Sequence, residues 1–186
     1  LGNGGGLVIE NSDSILIEGV YLNKNNLLVD ASNVTLMQAN LYGSDTADYD
    51  LISSINSSLT MSNVIIKNSD VKSLIVSSSG SELDITNLAV YGNTCSSELY
   101  KIGSSAAYFD FITSYGNTAP GEHWVFNSTW TSIRNSVLEF APPTDNAQCE
   151  VNYSAVPGGY PGDGNLSLDP MIDSAGPFPA LLETSP

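Results

Sequence analysis

Ser58-Leu59-Thr60-Met61-Ser62-Asn63-Val64-Ile65-Ile66-Lys67 returns 24 residues later as Glu82-Leu83-Asp84-Ile85-Thr86-Asn87-Leu88-Ala89-Val90-Tyr91. Both decamers follow one template, apolar–x–apolar–x–x–apolar–x–apolar. It recurs at Ile15/Ile17/Val20/Leu22, Val34/Leu36/Ala39/Leu41, Ala107/Phe109/Ile112/Ser114 and Thr131/Ile133/Ser136/Leu138. Its starting positions, 15, 34, 59, 83, 107 and 131, differ by 19, 25, 24, 24 and 24. A fixed period of about 20–50 residues marks a solenoid. Alternation with period two inside each unit marks strand, not helix.

A second short apolar segment precedes each unit: Leu7–Ile9, Leu27–Val29, Leu51–Ser53, Leu74–Val76, Tyr100–Ile102 and Trp124–Phe126. Polar turns such as Asn11-Ser12-Asp13-Ser14 and Ala31-Ser32-Asn33 link the two, and such residues supply local hydrogen bonds and left-handed conformations. One coil cannot bury its apolar face alone, whereas stacked coils share a continuous core. The pattern predicts an all-β, right-handed parallel β-helix of about six to seven coils with a repeat near 24 residues. With strands ~4.8 Å apart, six coils make a rod on the order of 30 Å long. Residues 1–140 are expected to form the coils of a single domain. The last coil and a Gly/Pro-rich loop follow at 141–173, and an irregular segment at 174–186.

Charged residues make up only 13% of the 186, against a usual value of ~25%. The 20 acidic and 5 basic residues give a net charge of −15, with no basic footprint for nucleic acid or anionic membranes. The same imbalance disfavours unassisted binding of polyanionic glycans. No stretch approaches the ~18 apolar residues of a membrane span. The absence of a signal peptide and of an initiating Met makes Leu1 a mature terminus or a boundary within a longer protein.

The C-terminal third carries Val151-Asn152-Tyr153-Ser154-Ala155-Val156-Pro157-Gly158-Gly159-Tyr160-Pro161-Gly162-Asp163-Gly164-Asn165, then Leu168-Asp169-Pro170. This resembles a signature of secreted bacterial right-handed β-helix repeat proteins, which have the pectate-lyase-like fold. There a Tyr-Ser strand leads through a Gly-rich turn and Gly-x-Gly-Asn to an Asp-Pro step. The opening Gly4-Gly5-Gly6 and the closing Thr184-Ser185-Pro186 fit the same pattern. The resemblance implies an extracellular or cell-surface protein, and many such proteins have no assigned chemistry.

Equivalent positions in a solenoid stack into columns. One outward column reads Glu18, Met37, Ser62, Thr86, Asp110 and Arg134, which sets Asp110 beside Arg134 as a surface ion pair. The next reads Gly19, Gln38, Asn63, Asn87, Phe111 and Asn135, an expected amide ladder. A third, Asn25, Ser44, Ser69, Asn93 and Asn117, is expected to close the turn leaving the strand. Lyase chemistry needs a base and a group that acidifies the substrate proton, and the basic residues Lys24, Lys67, Lys72, Lys101 and Arg134 are scattered. Hydrolysis needs carboxylates at a defined separation. Asp84 and Asp110, one column apart, are the nearest approach, without the motif elements of a polygalacturonase. His123 stands alone in Gly121-Glu122-His123-Trp124, which gives no zinc set.

Four further expectations concern binding and cross-linking. Asp45, Asp48 and Asp50 share one turn and offer hard oxygen ligands for calcium, as do Asp163 and Asp169 in the Gly-rich loop. Tyr91 and Tyr115, with Tyr42 two coils before Tyr91, share a column. With Tyr108, Trp124 and Trp130 they are the expected exposed rings for stacking on glycans. Tyr21 lies one position off that register. Cys95 and Cys149, the only cysteines, are expected to form a disulfide in an extracellular setting.

With no convergent catalytic set, the sequence points to a non-enzymatic extracellular β-helix with a structural, adhesive or assembly role. It is expected to belong to a larger surface protein or polymer, or to associate end to end through open strand edges. A carbohydrate-binding module, or a relative of polysaccharide lyases and hydrolases, is the alternative.

Overall fold

A computed structural model describes residues 6–43, 45–46, 48–78, 80–103, 106–121, 123–127, 130–144, 148–167, 172–173 and 180–181. The chain is an all-β parallel solenoid. One sheet stacks six strands in chain order: Leu7–Glu10, Leu27–Asp30, Ile52–Ile55, Ile75–Ser77, Tyr100–Ile102 and Trp124–Phe126. They mark out five complete turns, with a partial turn beyond. That is about one coil fewer than expected, because the Gly-rich segment after Asn152 folds into a loop instead of another full turn.

The second sheet carries the decamer repeat. Ser58–Lys67, Glu82–Tyr91 and Ala106–Tyr115 are continuous ten-residue strands. Earlier coils split the same path into Ile15–Glu18 with Tyr21–Asn23, and Asn33–Met37 with Asn40–Tyr42. Thr131–Arg134 and Cys149–Asn152 complete the sheet. The register matches the columns read from the sequence: Ile15 pairs with Val34, Val34 with Leu59, Leu59 with Leu83, Leu83 with Ala107, and Ala107 with Thr131. A third sheet stacks Asp45–Thr46, Asp70–Val71 and Thr94–Cys95.

Three columns of left-handed residues turn the chain between these sheets. Asn11, Ala31, Asn56 and Gly80 form one corner, and Lys24, Gly43, Asn68, Gly92 and Gly116 another. The third is the column Gly19, Gln38, Asn63, Asn87, Phe111, Asn135 and Tyr153, inside the x–x of the template. There a positive φ bends each long strand, and the ladder skips that residue while pairing continues on either side. The amide ladder expected for this column exists at one step, where Asn87 Nδ2 donates to Asn63 Oδ1 at 2.6 Å.

The core runs along the axis and is built from the inward template positions, including Leu36, Met61, Ile66, Leu83, Ile85, Val90 and Phe109. Expected strand starts at Leu51 and Leu74 are shifted by one residue, because Leu27 pairs with Ile52 and Ile52 with Ile75. Leu51, Leu74 and Leu99 occupy a bulged corner instead. The Leu99 carbonyl accepts from both Leu74 N–H (3.0 Å) and Ile75 N–H (3.2 Å). A bulge sets two residues against one, so Leu51 and Ile52 both point inward and both are buried.

Buried side chains tie the corners together along the axis. Ser12, Ser32 and Ser57 each donate a backbone N–H to the hydroxyl of Ser32, Ser57 and Ser81 on the next coil, at 3.0, 3.1 and 3.4 Å. At the opposite corner Ser69 N–H donates to Asn93 Oδ1 (3.0 Å) and Asn93 N–H to Asn117 Oδ1 (3.1 Å). Asn93 Nδ2 and Asn117 Nδ2 donate onward to the carbonyls of Ile66 and Val90. The expected turn-closing role of Ser69, Asn93 and Asn117 thus takes the form of an internal ladder. Removing one rung leaves buried groups unpaired, at about 1–3 kcal/mol each. Asn117→Ala strands both Asn93 N–H and Val90 C=O, so it is expected to lower unfolding free energy by about 3 kcal/mol, measured by urea denaturation followed by circular dichroism.

Candidate functional site

The two ends of the solenoid differ. At the C-terminal end the middle corner continues as a serine ladder: Ile112 N–H donates to Ser136 Oγ (3.0 Å) and Ser136 N–H to Ser154 Oγ (3.1 Å). Ser154 N–H then donates to Asn165 Oδ1 (3.0 Å), and Asn165 Nδ2 returns to the Val151 carbonyl at 2.7 Å. Asn165 therefore stands in the ladder where a further coil would place its serine. The Gly-Asp-Gly-Asn segment folds back over the last rung, with Tyr153 N–H donating to Asp163 O and Asp163 N–H to Asn152 Oδ1. Gly162 (φ 143°) and Gly164 (φ 68°) are both in the left-handed half of backbone space. A Cβ on the first would collide with the Val151 carbonyl, and on the second with the Tyr153 ring. The motif thus carries the corner ladder one step beyond Ser154, and Leu166 adds a parallel bridge to Ala155.

The asparagine ladder has its own terminus. Glu139 follows Asn117 and accepts from Asn117 N–H at 2.9 Å and from Asn117 Nδ2 at 3.4 Å. Burial raises the pKa of Glu139, partly offset by hydrogen bonds from the backbones of Asn117 and Gly116. The N-terminal end has no such closure among the described residues. Leu7–Glu10 and Ile15–Glu18 are the outermost strands of their sheets. Leu7, Ile15, Ile17 and Val20 are only partly buried against the core, and Val8, Leu16 and Tyr21 are exposed.

The expected ring surface divides in two. Tyr91 and Tyr115 share a column with Tyr42, as read from the sequence, but the column is not open. The two rings stack at 5.1 Å and 14°, and they are 9% and 8% exposed. Lys67 Nζ lies 5.8 Å from the Tyr91 centroid, and burial pushes the Tyr115 hydroxyl up to about 12. Trp124 lies in the core, 2% exposed, stacked on Tyr100 at 4.0 Å, with Nε1 donating to the Phe140 carbonyl at 3.2 Å. It points inward because its strand faces the core at that register. Tyr108 and Trp130 are exposed, and so are Phe111 and Tyr153, which the sequence reading did not single out as ligand rings. The left-handed column would have flagged both, since it forces any side chain there away from the core.

Other expectations are also corrected. Cys95 and Cys149 are free thiols. Cys95 sits in the third sheet, whereas Cys149 begins the last strand of the second. Burial pushes Cys95 up to about 12 and Cys149 up to about 11. Asp45, Asp48 and Asp50 do not converge: among the described residues no group of three His, Cys, Asp or Glu is placed to hold a metal ion. Asp45 is drawn into the third sheet opposite Asp70. Asp169 and Ser44 lie outside the described residues. Asp110 is opposite Arg134 in register, but its Oδ1 is engaged by Asn135 Nδ2 at 2.8 Å. Asp84 pairs with Tyr108 and so stays one column from Asp110. His123 stacks on Phe140 at 3.3 Å, and burial lowers its pKa.

No protein-family model, curated protein or solved structure matches this chain.

Two expected outcomes follow from these side chains. Without reductant, Ellman's reagent titrates two thiols in guanidinium, and Cys95 stays unlabelled in the native protein. A Glu139 with a raised native pKa contributes stability below its unfolded value of 4.5, and that contribution is lost as pH rises through the native value. Glu139→Gln keeps an acceptor for Asn117 but removes the titration. Its stability relative to wild type, from urea midpoints, is therefore expected to increase from pH 4 to pH 8 (about that range).

Proposed function

We propose that this chain is a non-enzymatic β-helix module of an extracellular or cell-surface protein, structural or adhesive in role. It closes the solenoid at its C-terminal end and accepts a further β-coil at its N-terminal end. The observation that carries this reading is the contrast between the ends. Asn165 and Glu139 finish the corner ladders at one end. At the other, partly exposed core residues and two strand edges face outward.

The ladder direction supports a parallel coil as the occupant. Each corner N–H donates to the hydroxyl of the next coil, so Ser12 Oγ is oriented to receive the corner N–H of a preceding one. In a parallel ladder alternate residues bond to opposite neighbours. Leu7 and Asn11 N–H bond to the second coil, which leaves Val8 and Glu10 directed along the axis toward a partner strand. Such an edge invites strand addition. The occupant is a coil of a larger surface protein, or a second copy. The serine- and asparagine-rich, charge-poor faces and the resemblance to secreted bacterial β-helix repeat proteins support the extracellular setting. The absence of a polygalacturonase motif and the scatter of the five basic residues along the sequence favour a structural role over an enzymatic one.

The test is to place a duplicate of residues 52–74 before Leu7 through a short linker. The added coil is expected to raise Tm by several degrees and to protect the Val8 and Glu10 amides from hydrogen exchange. Val8→Pro, tolerated on an edge strand, is expected to abolish both gains while leaving the fold intact. Unchanged Tm and unprotected amides in the extended chain would reject the stacking face.

A further inference from the structure

We propose that Tyr108, Phe111, Trp130 and Tyr153 form an exposed contact surface for a neutral polysaccharide chain, along the outer face and corner of the last three rungs of the second sheet. The inference is independent of the open N-terminal end, which lies at the opposite pole.

The backbone supplies the first argument. Phe111 and Tyr153 occupy the left-handed corner column with φ of 56° and 52°. The same column elsewhere holds Gly19, Gln38, Asn63, Asn87 and Asn135. Left-handed geometry is an outlier for bulky side chains and is well tolerated by Gly and Asn. Burial does not compensate, because Phe111 is 53% and Tyr153 62% exposed. Largely exposed rings held at strained positions point to a role at the surface. The Gly-rich segment fixes one of the two rings: Gly164 lies so close to the Tyr153 ring that no larger residue fits there.

Placement supplies the second. Tyr108 faces outward between Asp84 and Ser132. Trp130 precedes the next strand and is 39% exposed, like Tyr108. Phe111, Asn135 and Tyr153 follow one another along the corner, so the outer two rings are two rungs apart. At ~4.8 Å per rung this is ~10 Å, comparable to one disaccharide of an extended chain. Among the described residues none of the four rings carries a hydrogen bond or ring stack.

Chemistry selects the ligand. Isolated ring faces offer apolar area to the C–H faces of sugars. Between them stand groups that bond hydroxyls: Asn135, already polarised by its bond to Asp110, and the exposed guanidinium of Arg134. An exposed face without a concavity suits a long chain better than a small molecule. A chain carrying −15 repels polyuronates, so the glycan is neutral.

Affinity electrophoresis in native gels containing hydroxyethylcellulose, xyloglucan or galactomannan tests this, with polygalacturonate as the acidic control. Retardation by at least one neutral polymer and none by polygalacturonate is expected, with a change in Trp130 fluorescence on binding. Phe111→Asn with Tyr153→Asn restores the residue type native to the column, so Tm is expected to be unchanged or higher. The affinity of that double variant is expected to fall at least tenfold. No retardation by any neutral polymer, equal retardation of the double variant, or retention by polygalacturonate alone would overturn the assignment.

Discussion

A left-handed residue at each corner, followed by an inward side chain, is the constraint on which the solenoid depends. The pairs Ala31-Ser32, Asn56-Ser57, Gly80-Ser81, Gly92-Asn93, Gly116-Asn117, Asn135-Ser136 and Tyr153-Ser154 all have this form. The turn itself leaves a backbone N–H without a partner in its own coil. The polar side chain of the next coil supplies one, as Ser57 does for Ser32 and Asn117 for Asn93. An unpaired buried donor costs about 1–3 kcal/mol, so a coil is complete only when its neighbour is in place. Cooperativity along the axis follows from this, beyond what apolar stacking provides.

Within that frame the ends acquire meaning. Every ladder needs a terminal acceptor: Asn165 and Glu139 provide it for two ladders at the C-terminal pole, and the Ser78 carbonyl accepts from Ser81 N–H in the third. Asn165 reaches its position through a loop that only glycine at 162 and 164 allows. The outermost N-terminal strands have no equivalent among the described residues. Among the described residues the two poles therefore differ, and the solenoid has a direction.

The aromatic residues separate by the same geometry. Tyr100, Phe109 and Trp124 pack edge and face inside the final coils, filling the axis with rings instead of aliphatic side chains. Tyr91 and Tyr115 stack at the ends of two adjacent long strands. Phe111 and Tyr153 cannot join either group, because the left-handed corner turns them outward. Ring position relative to the corner, more than ring spacing along the sequence, decides which aromatics are available to a partner.

Periodicity in the sequence determined the parallel solenoid, the 24-residue step and the column register of the second sheet, because period-two apolar alternation admits only one stacking that buries every repeat. It also located the Ser69–Asn93–Asn117 column. The bulged corners at Leu51, Leu74 and Leu99 were not legible, since a doublet of apolar residues does not say which one begins the strand. The exposure of Trp124 and Tyr91 was misjudged for a related reason: a column fixes neighbours along the axis but not the direction a side chain faces at a corner. The pairing of Cys95 with Cys149 failed because even cysteine count carries no distance. Only tertiary structure decided that the Gly-Asp-Gly-Asn stretch turns back onto the corner ladder, that two bulky rings sit at left-handed positions, and that the three aspartates form no metal-holding group. Each depends on backbone torsion and on contacts between coils, and a one-dimensional repeat encodes neither.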